Sequence, residues 1–151
     1  MAPLLVVHHT PSPNLHAMLE AVRSGAADPH ITGVEVVARA ALHATASDVL
    51  EADGYLVGGP ANLGYLAGAV KHFFDTIYYP CLEDTVGRPF GAYLHGGDDT
   101  TGAKRALTTI TTGLRWTQVA EVVELTGAPD ADDRDALWEL GATLAATLSQ
   151  G

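Results

Sequence analysis

Gly54-Tyr55-Leu56-Val57-Gly58-Gly59-Pro60-Ala61-Asn62-Leu63-Gly64-Tyr65, followed by Leu66, Val70, Phe73, Phe74 and Ile77, is the stretch that decides the fold. An apolar run of strand length ends in Gly and Pro. A turn-rich segment follows, and then apolar residues recur at helical spacing. A strand without alternating polar residues is buried on both faces, and a helix directly after it supplies part of the cover.

The same unit recurs on either side. Leu4-Leu5-Val6-Val7 reads as a buried strand, Thr10-Pro11-Ser12-Pro13-Asn14 as a turn, and Leu15, Met18, Leu19 and Val22 as a helix stopped near Gly25. Val34-Glu35-Val36-Val37 reads as a second strand, with a short helix from Ser47 through Leu50. Downstream of the opening stretch, Phe90 to Leu94 is a fourth strand stopped by Gly96-Gly97, and a helix runs from about Thr100 to Gly113. Val119 to Leu125 is a fifth strand, and Leu137, Leu140, Leu144 and Leu148 mark a last helix with acidic residues at its start. Strictly alternating strands and helices predict an α/β domain. Its sheet is doubly wound, five-stranded and parallel, in the order 2-1-3-4-5, with helices on both faces. The length, 151 residues, suits one domain over 1–151.

Composition narrows the function. The chain is 47% apolar and 17% charged, which fits a packed domain and not a disordered one. Its net charge of −10 repels phosphate backbones, so neither nucleic acid nor an anionic membrane is an expected partner. A single cysteine, Cys81, excludes an internal disulfide and any Cys-rich metal or iron–sulfur site. The first residues carry no basic region and too short an apolar run for a signal peptide or a span, so a cytoplasmic protein is expected.

In a doubly wound sheet, ligands bind outside the carboxyl ends of the strands, where the strand order reverses. That rule selects three connections. The first, Thr10, Pro11, Ser12, Pro13, Asn14 and Leu15, offers hydroxyls, an amide and backbone N–H groups at a helix start. Such donors hold a phosphate, and the same residue types also cap helices. No Lys or Arg lies between Met1 and Glu20, so the cup works without their charge. The second, Pro60, Ala61, Asn62, Leu63, Gly64 and Tyr65, mixes Gly with apolar and aromatic groups that cover a ring face. The same side chains also serve as ordinary packing on the next helix. The third, His95, Gly96, Gly97 and Asp98, turns sharply, with Asp99 or Thr100 as the N-cap of the next helix. His95 reads either as a group facing the cleft or as a hydrogen-bonded structural histidine. Together the three loops fit a mononucleotide that carries a large flat ring.

The sequence resembles the flavodoxin-like FMN proteins, particularly the short bacterial NAD(P)H-dependent FMN and quinone reductases, over nearly the whole chain. Thr10-Pro11-Ser12-Pro13-Asn14-Leu15 resembles the family's Ser-x-Ser-Gly-Asn-Thr phosphate loop. Gly59-Pro60-Ala61-Asn62-Leu63-Gly64 resembles its Gly-Thr-Pro-x-x-x-Gly ring loop, and Gly68 to Asp75 the helix that follows. His95-Gly96-Gly97-Asp98-Asp99 falls where the family places its third flavin-contacting loop. The departures are Pro13 for Gly, which removes a backbone donor, and Leu15 for Thr, which removes a hydroxyl.

The resemblance implies FMN as cofactor and NAD(P)H as co-substrate, with a quinone or free flavin as acceptor. The flavin, and no protein residue, then carries the catalytic chemistry, and no metal is needed. It also implies a homodimer. Asp98 and Asp99, if beside the ring, lower the flavin potential. Lys71, Arg88, Lys104, Arg105 and Arg115 are candidates for a dinucleotide phosphate, or simply solvated helix faces. The alternatives are a non-enzymatic electron carrier that meets a redox partner protein, and a flavin-free domain on the same fold. A receiver-type domain is disfavoured, because His8-His9 and Gly58-Gly59 stand where its acidic residues belong.

Overall fold

The computed structural model describes residues 1–149; residues 150 and 151 of the expected domain lie outside them. The strands are β1 (Ala2–His8), β2 (Val34–Ala40), β3 (Gly54–Asn62), β4 (Tyr65–Leu66), β5 (Pro89–Gly96), β6 (Thr117–Gln118) and β7 (Val123–Thr126). The helices are α1 (Pro13–Ala26), α2 (Ala46–Glu51), α3 (Gly68–Cys81), α4 (Thr101–Leu114) and α5 (Ala131–Ser149). Strands β2-β1-β3-β5-β6 lie side by side and parallel, which is the expected α/β architecture.

The period-2 geometry of the central strands splits the core in two. Leu4 and Val6 of β1, Leu56 of β3 and Tyr93 of β5 point to one face, where α1 and α5 cover them. Leu5, Val7, Tyr55, Val57, Phe90, Ala92 and Leu94 point to the other, beneath α2, α3 and α4. The continuous apolar runs of the sequence are therefore strands covered twice.

The strand count and order depart from expectation. The described residues form seven strands, not five, and the order in chain numbering is 2-1-3-5-6 in place of 2-1-3-4-5. Two features cause this. First, the strand expected over Val119 to Leu125 begins only at Val123, where β7 pairs with the end of β5 (Tyr93 to Gly96), and a separate β6 ahead of the expected bounds pairs with the start of β5 (Pro89, Phe90). Between them Val119 N–H still donates to Phe90 C=O at 3.1 Å, and residues 120–122 then leave the ladder. Second, the segment after Gly58 is not an open loop. Strand β3 continues to Asn62, and a two-residue turn returns it as β4, with Asn62 opposite Tyr65.

One basic residue expected near the cleft ties the opposite end of the sheet. Arg88 precedes β5, and its Nη1 lies 3.1, 3.0 and 2.7 Å from the carbonyl oxygens of Val49, Leu50 and Ala52. These include the last carbonyls of α2, which a cation at a helix C-terminus satisfies. The Tyr55 hydroxyl donates to the Val49 carbonyl at 2.6 Å, and burial pushes its pKa up to about 12. Arg115, the left-handed residue that ends α4, also lies at that end and pairs with Glu83 at 3.6 Å.

Candidate functional site

Three connections leave the carboxyl ends of adjacent strands. His8 pairs in register with Gly58, and Gly58 with Tyr93, so β1, β3 and β5 are neighbours. Two strand spacings of about 4.8 Å separate the first and third loops by about 10 Å. The order of strands reverses here, since β2 lies beyond β1 and β5 beyond β3.

The first loop is a helix entry. Ser12 is the N-cap of α1; its Oγ accepts from Leu15 N–H at 3.2 Å, and its carbonyl accepts from His16 N–H at 3.0 Å. Pro13 occupies the first helical position, where its missing N–H leaves no bond unmade. Leu15 is buried in the core, so it supplies packing in place of a donor. Among the described residues, the N–H groups of Thr10, Ser12 and Asn14 donate to no protein acceptor. Ser12 Oγ accepts at its cap bond, which leaves its proton to donate. Unclaimed N–H groups and a hydroxyl at a helix N-terminus are the donor set that a phosphate ester requires. Thr10 Oγ1 lies 2.7 Å from His8 Nδ1, a partner that sequence reasoning missed.

The second loop is the β3–β4 hairpin. Its two turn residues, Leu63 (φ 53) and Gly64 (φ 75), both have positive φ, as a type I′ turn demands. Gly adopts this freely, whereas Leu pays about 1–2 kcal/mol for it. Leu63 is also fully exposed, at 106% of its reference area. Burial gives it no compensation, and it does not pack on the next helix. Tyr65 is half exposed beside it. The turn rests on α4: a Cβ on Gly102 would sit 1.9 Å from the Gly64 carbonyl oxygen. Only glycine at position 102 lets the hairpin lie this low.

The third loop faces the hairpin. A cleft is lined by Ala61, Leu63 and Gly64 on one side and by Gly97, Asp98 and Asp99 on the other. A side chain at Gly97 would meet no atom within 4 Å, so its backbone faces open space. Asp99 Oδ1 accepts from the Thr101 N–H (3.0 Å) and hydroxyl (2.7 Å), and these bonds hold its carboxyl below the usual carboxylate range. Thr100 is the N-cap by position, but the side chain that caps is Asp99. His95 Nε2 lies 2.8 Å from the Gly127 carbonyl, which fixes the ring against the loop after β7.

Glu124 of β7 also shapes the site. It accepts from the Thr100 hydroxyl at 2.8 Å and from Lys104 Nζ at 3.2 Å, and so anchors the start of α4. Sequence reasoning misses it because the contact spans twenty residues or more, which apolar spacing along the chain does not register. Of the remaining basic candidates, Lys71 pairs with Asp75 at 2.7 Å on the same helix. Arg105 lines a groove with Tyr65 and Gly64 on the far side of the hairpin. No cluster of His, Cys, Asp and Glu able to hold a metal occurs among the described residues.

No protein-family model matches the chain. A flavodoxin of Aquifex aeolicus (strain VF5) is 39% identical over 77 residues, which make up 51% of this chain and 40% of that protein. The match thus spans less than half the length of this relative. Among solved structures, a flavodoxin from the domain Archaea superposes with a TM-score of 0.82 at 20% identity, over 97% of this chain and 98% of that one. A flavodoxin described as WrbA-like, from Agrobacterium tumefaciens, gives 0.81 at 19% identity over 99% of both chains. The two-electron reduced flavodoxin of Megasphaera elsdenii gives 0.76 at 21% identity, over 94% of this chain and 98% of that one. The chain has the flavodoxin-like fold.

Proposed function

We propose that the chain binds FMN at the carboxyl ends of β1, β3 and β5 and passes electrons through it. The cleft beneath the β3–β4 hairpin carries this reading. An exposed leucine in a strained conformation stabilises nothing in the protein by itself, and its position opposite Gly97 suits one face of a flat ring. The unclaimed donors of Thr10, Ser12 and Asn14 lie about 10 Å away, where a phosphate on the same ligand belongs. The residues present therefore fit the group. Thr10, Ser12 and Asn14 hold the phosphate, Leu63 and Tyr65 cover the ring, and the backbone of Asn62, Gly96 and Gly97 meets its polar edge. When bound, the flavin supplies the redox chemistry. Asp98, exposed at the cleft, disfavours added negative charge on the ring. Asp98→Asn therefore raises the midpoint potential, and an unchanged midpoint removes Asp98 from this role.

The test is a titration with FMN and with riboflavin, followed by flavin fluorescence. FMN binding tighter than riboflavin binding supports both halves of the site, and binding of neither overturns the reading. We further propose NAD(P)H as electron donor and a quinone or flavin as acceptor, with Arg105, which lines a groove with Gly64 and Tyr65 and makes no ion pair among the described residues, as the cation offered to the nucleotide. A second reading is a carrier without turnover, favoured by the net charge of −10. NADH and NADPH oxidation with a quinone separates the two: turnover with neither nucleotide selects the carrier.

A further inference from the structure

Thr10 is committed to a partner before any ligand arrives. Its Oγ1 lies 2.7 Å from His8 Nδ1, so the two atoms share one proton. Two arrangements satisfy that bond. If Nδ1 is bare, the Thr10 hydroxyl must donate to it, and the Thr10 proton points away from the cup. If Nδ1 carries a proton, it donates to Oγ1, and the Thr10 proton turns outward to a ligand.

We propose that His8 is a positioning residue of the phosphate cup, and that a phosphate ester binds there together with a proton taken up by His8. The inference rests on the proposed FMN site and adds a residue and a proton to it. Protonated His8 has a hydrogen on Nδ1 in every case, so Thr10 is always turned toward the ligand. It also places a positive charge in a loop that has no Lys or Arg before Glu20.

The surroundings are built for this exchange. His8 is half-buried at the end of β1, on the face covered by α1 and α5. The charged groups that act on its ring are Arg23 of α1 and His9, its neighbour in the chain. In register, β2 brings Ala40 beside it and β3 brings Gly58. From β5, the hydroxyl end of the Tyr93 ring lies over Gly58, where a Cβ would come within 1.9 Å of it. Among the described residues no carboxylate lies within ion-pairing distance of His8. Burial, then Arg23, then His9 hold its pKa below the usual value of 6.5, so without ligand the surroundings favour the neutral ring. A phosphate dianion supplies the missing counter-charge.

The test is an NMR titration of the His8 ring in the full chain, alone, with FMN and with riboflavin, which lacks the phosphate. FMN raises the His8 pKa by one unit or more, and riboflavin leaves it unmoved. By linkage, FMN affinity in the wild type then falls about tenfold for each unit of that rise, as pH climbs through the window between the free and bound values. The phosphate's own second ionisation, near pH 6, acts in the opposite sense. His8→Gln retains that ionisation alone, so the difference between the two pH profiles isolates His8. FMN binding with an unmoved His8 pKa overturns the proposal and leaves the flavin site standing. Failure to bind either flavin overturns both. The wild-type titration decides the matter even if the variant does not fold.

Discussion

At the scale of single residues, the site and the scaffold make opposite demands. Leu63 holds φ 53 in water, where Asn is better suited. Leu63→Asn is expected to raise stability by about 0.5–1 kcal/mol, read as a later denaturant midpoint, and to weaken FMN binding roughly tenfold. A stabilised variant with full affinity shows that Leu63 does not cover the ring. Arg88 is the converse case. Arg88→Met leaves the Leu50 and Ala52 carbonyls without a donor, while Val49 keeps the Tyr55 hydroxyl, and costs about 2 kcal/mol, with no change in FMN affinity, because it acts at the far end of the sheet. His8 gives a pH signature without ligand. Its folded pKa lies below the unfolded value near 6.5, so the fold prefers the neutral ring. Stability from this group is complete above about pH 6.5 and is lost as pH falls from there through the folded value. Urea midpoints taken from pH 7.5 down to 5 should fall more steeply for the wild type than for His8→Gln.

At the scale of elements, the hairpin and α4 act as a pair. Gly102→Ala drives a methyl into the Gly64 carbonyl, so the hairpin must lift. A stability loss of about 1–3 kcal/mol is expected, and FMN affinity should fall more than riboflavin-independent measures of folding do. Circular dichroism with flavin titration checks this; unchanged binding means the hairpin height does not set the cleft. The helices and the central strands were legible from apolar spacing, because their burial on two faces forces continuous runs. The hairpin was not. Leu63-Gly64 lacks the Asn-Gly signature of its turn type, so the sequence reads as a strand ending at Gly58-Gly59 although the ladder runs on to Asn62. The true bounds of the last strand were also hidden, since Val119 to Leu125 is apolar enough to pass for one run, while the residues that pair with β5 are Thr117–Gln118 before it and Val123–Thr126 at its end.

At the scale of the whole molecule, net charge shapes encounters. With −10 to present, electron transfer to a basic partner protein should slow steeply between low and physiological ionic strength, whereas transfer to a neutral quinone should not. Stopped-flow rates against salt measure this, and a flat profile with a basic partner removes electrostatic steering. No helix among the described residues is long and apolar enough to cross a membrane. The amino-acid sequence by itself determined the fold class and the end of the sheet at which to look, because periodicity and strand–helix alternation are local properties that the chain cannot conceal. It also placed the three connections. Only the tertiary structure decided how they are used: that Pro60 to Tyr65 forms a hairpin seated on Gly102, that Glu124 anchors the start of α4, and that Thr10 answers to His8. Two of these contacts join segments twenty residues or more apart, and the third depends on the direction of a side chain. Neither leaves a trace in the spacing of apolar residues.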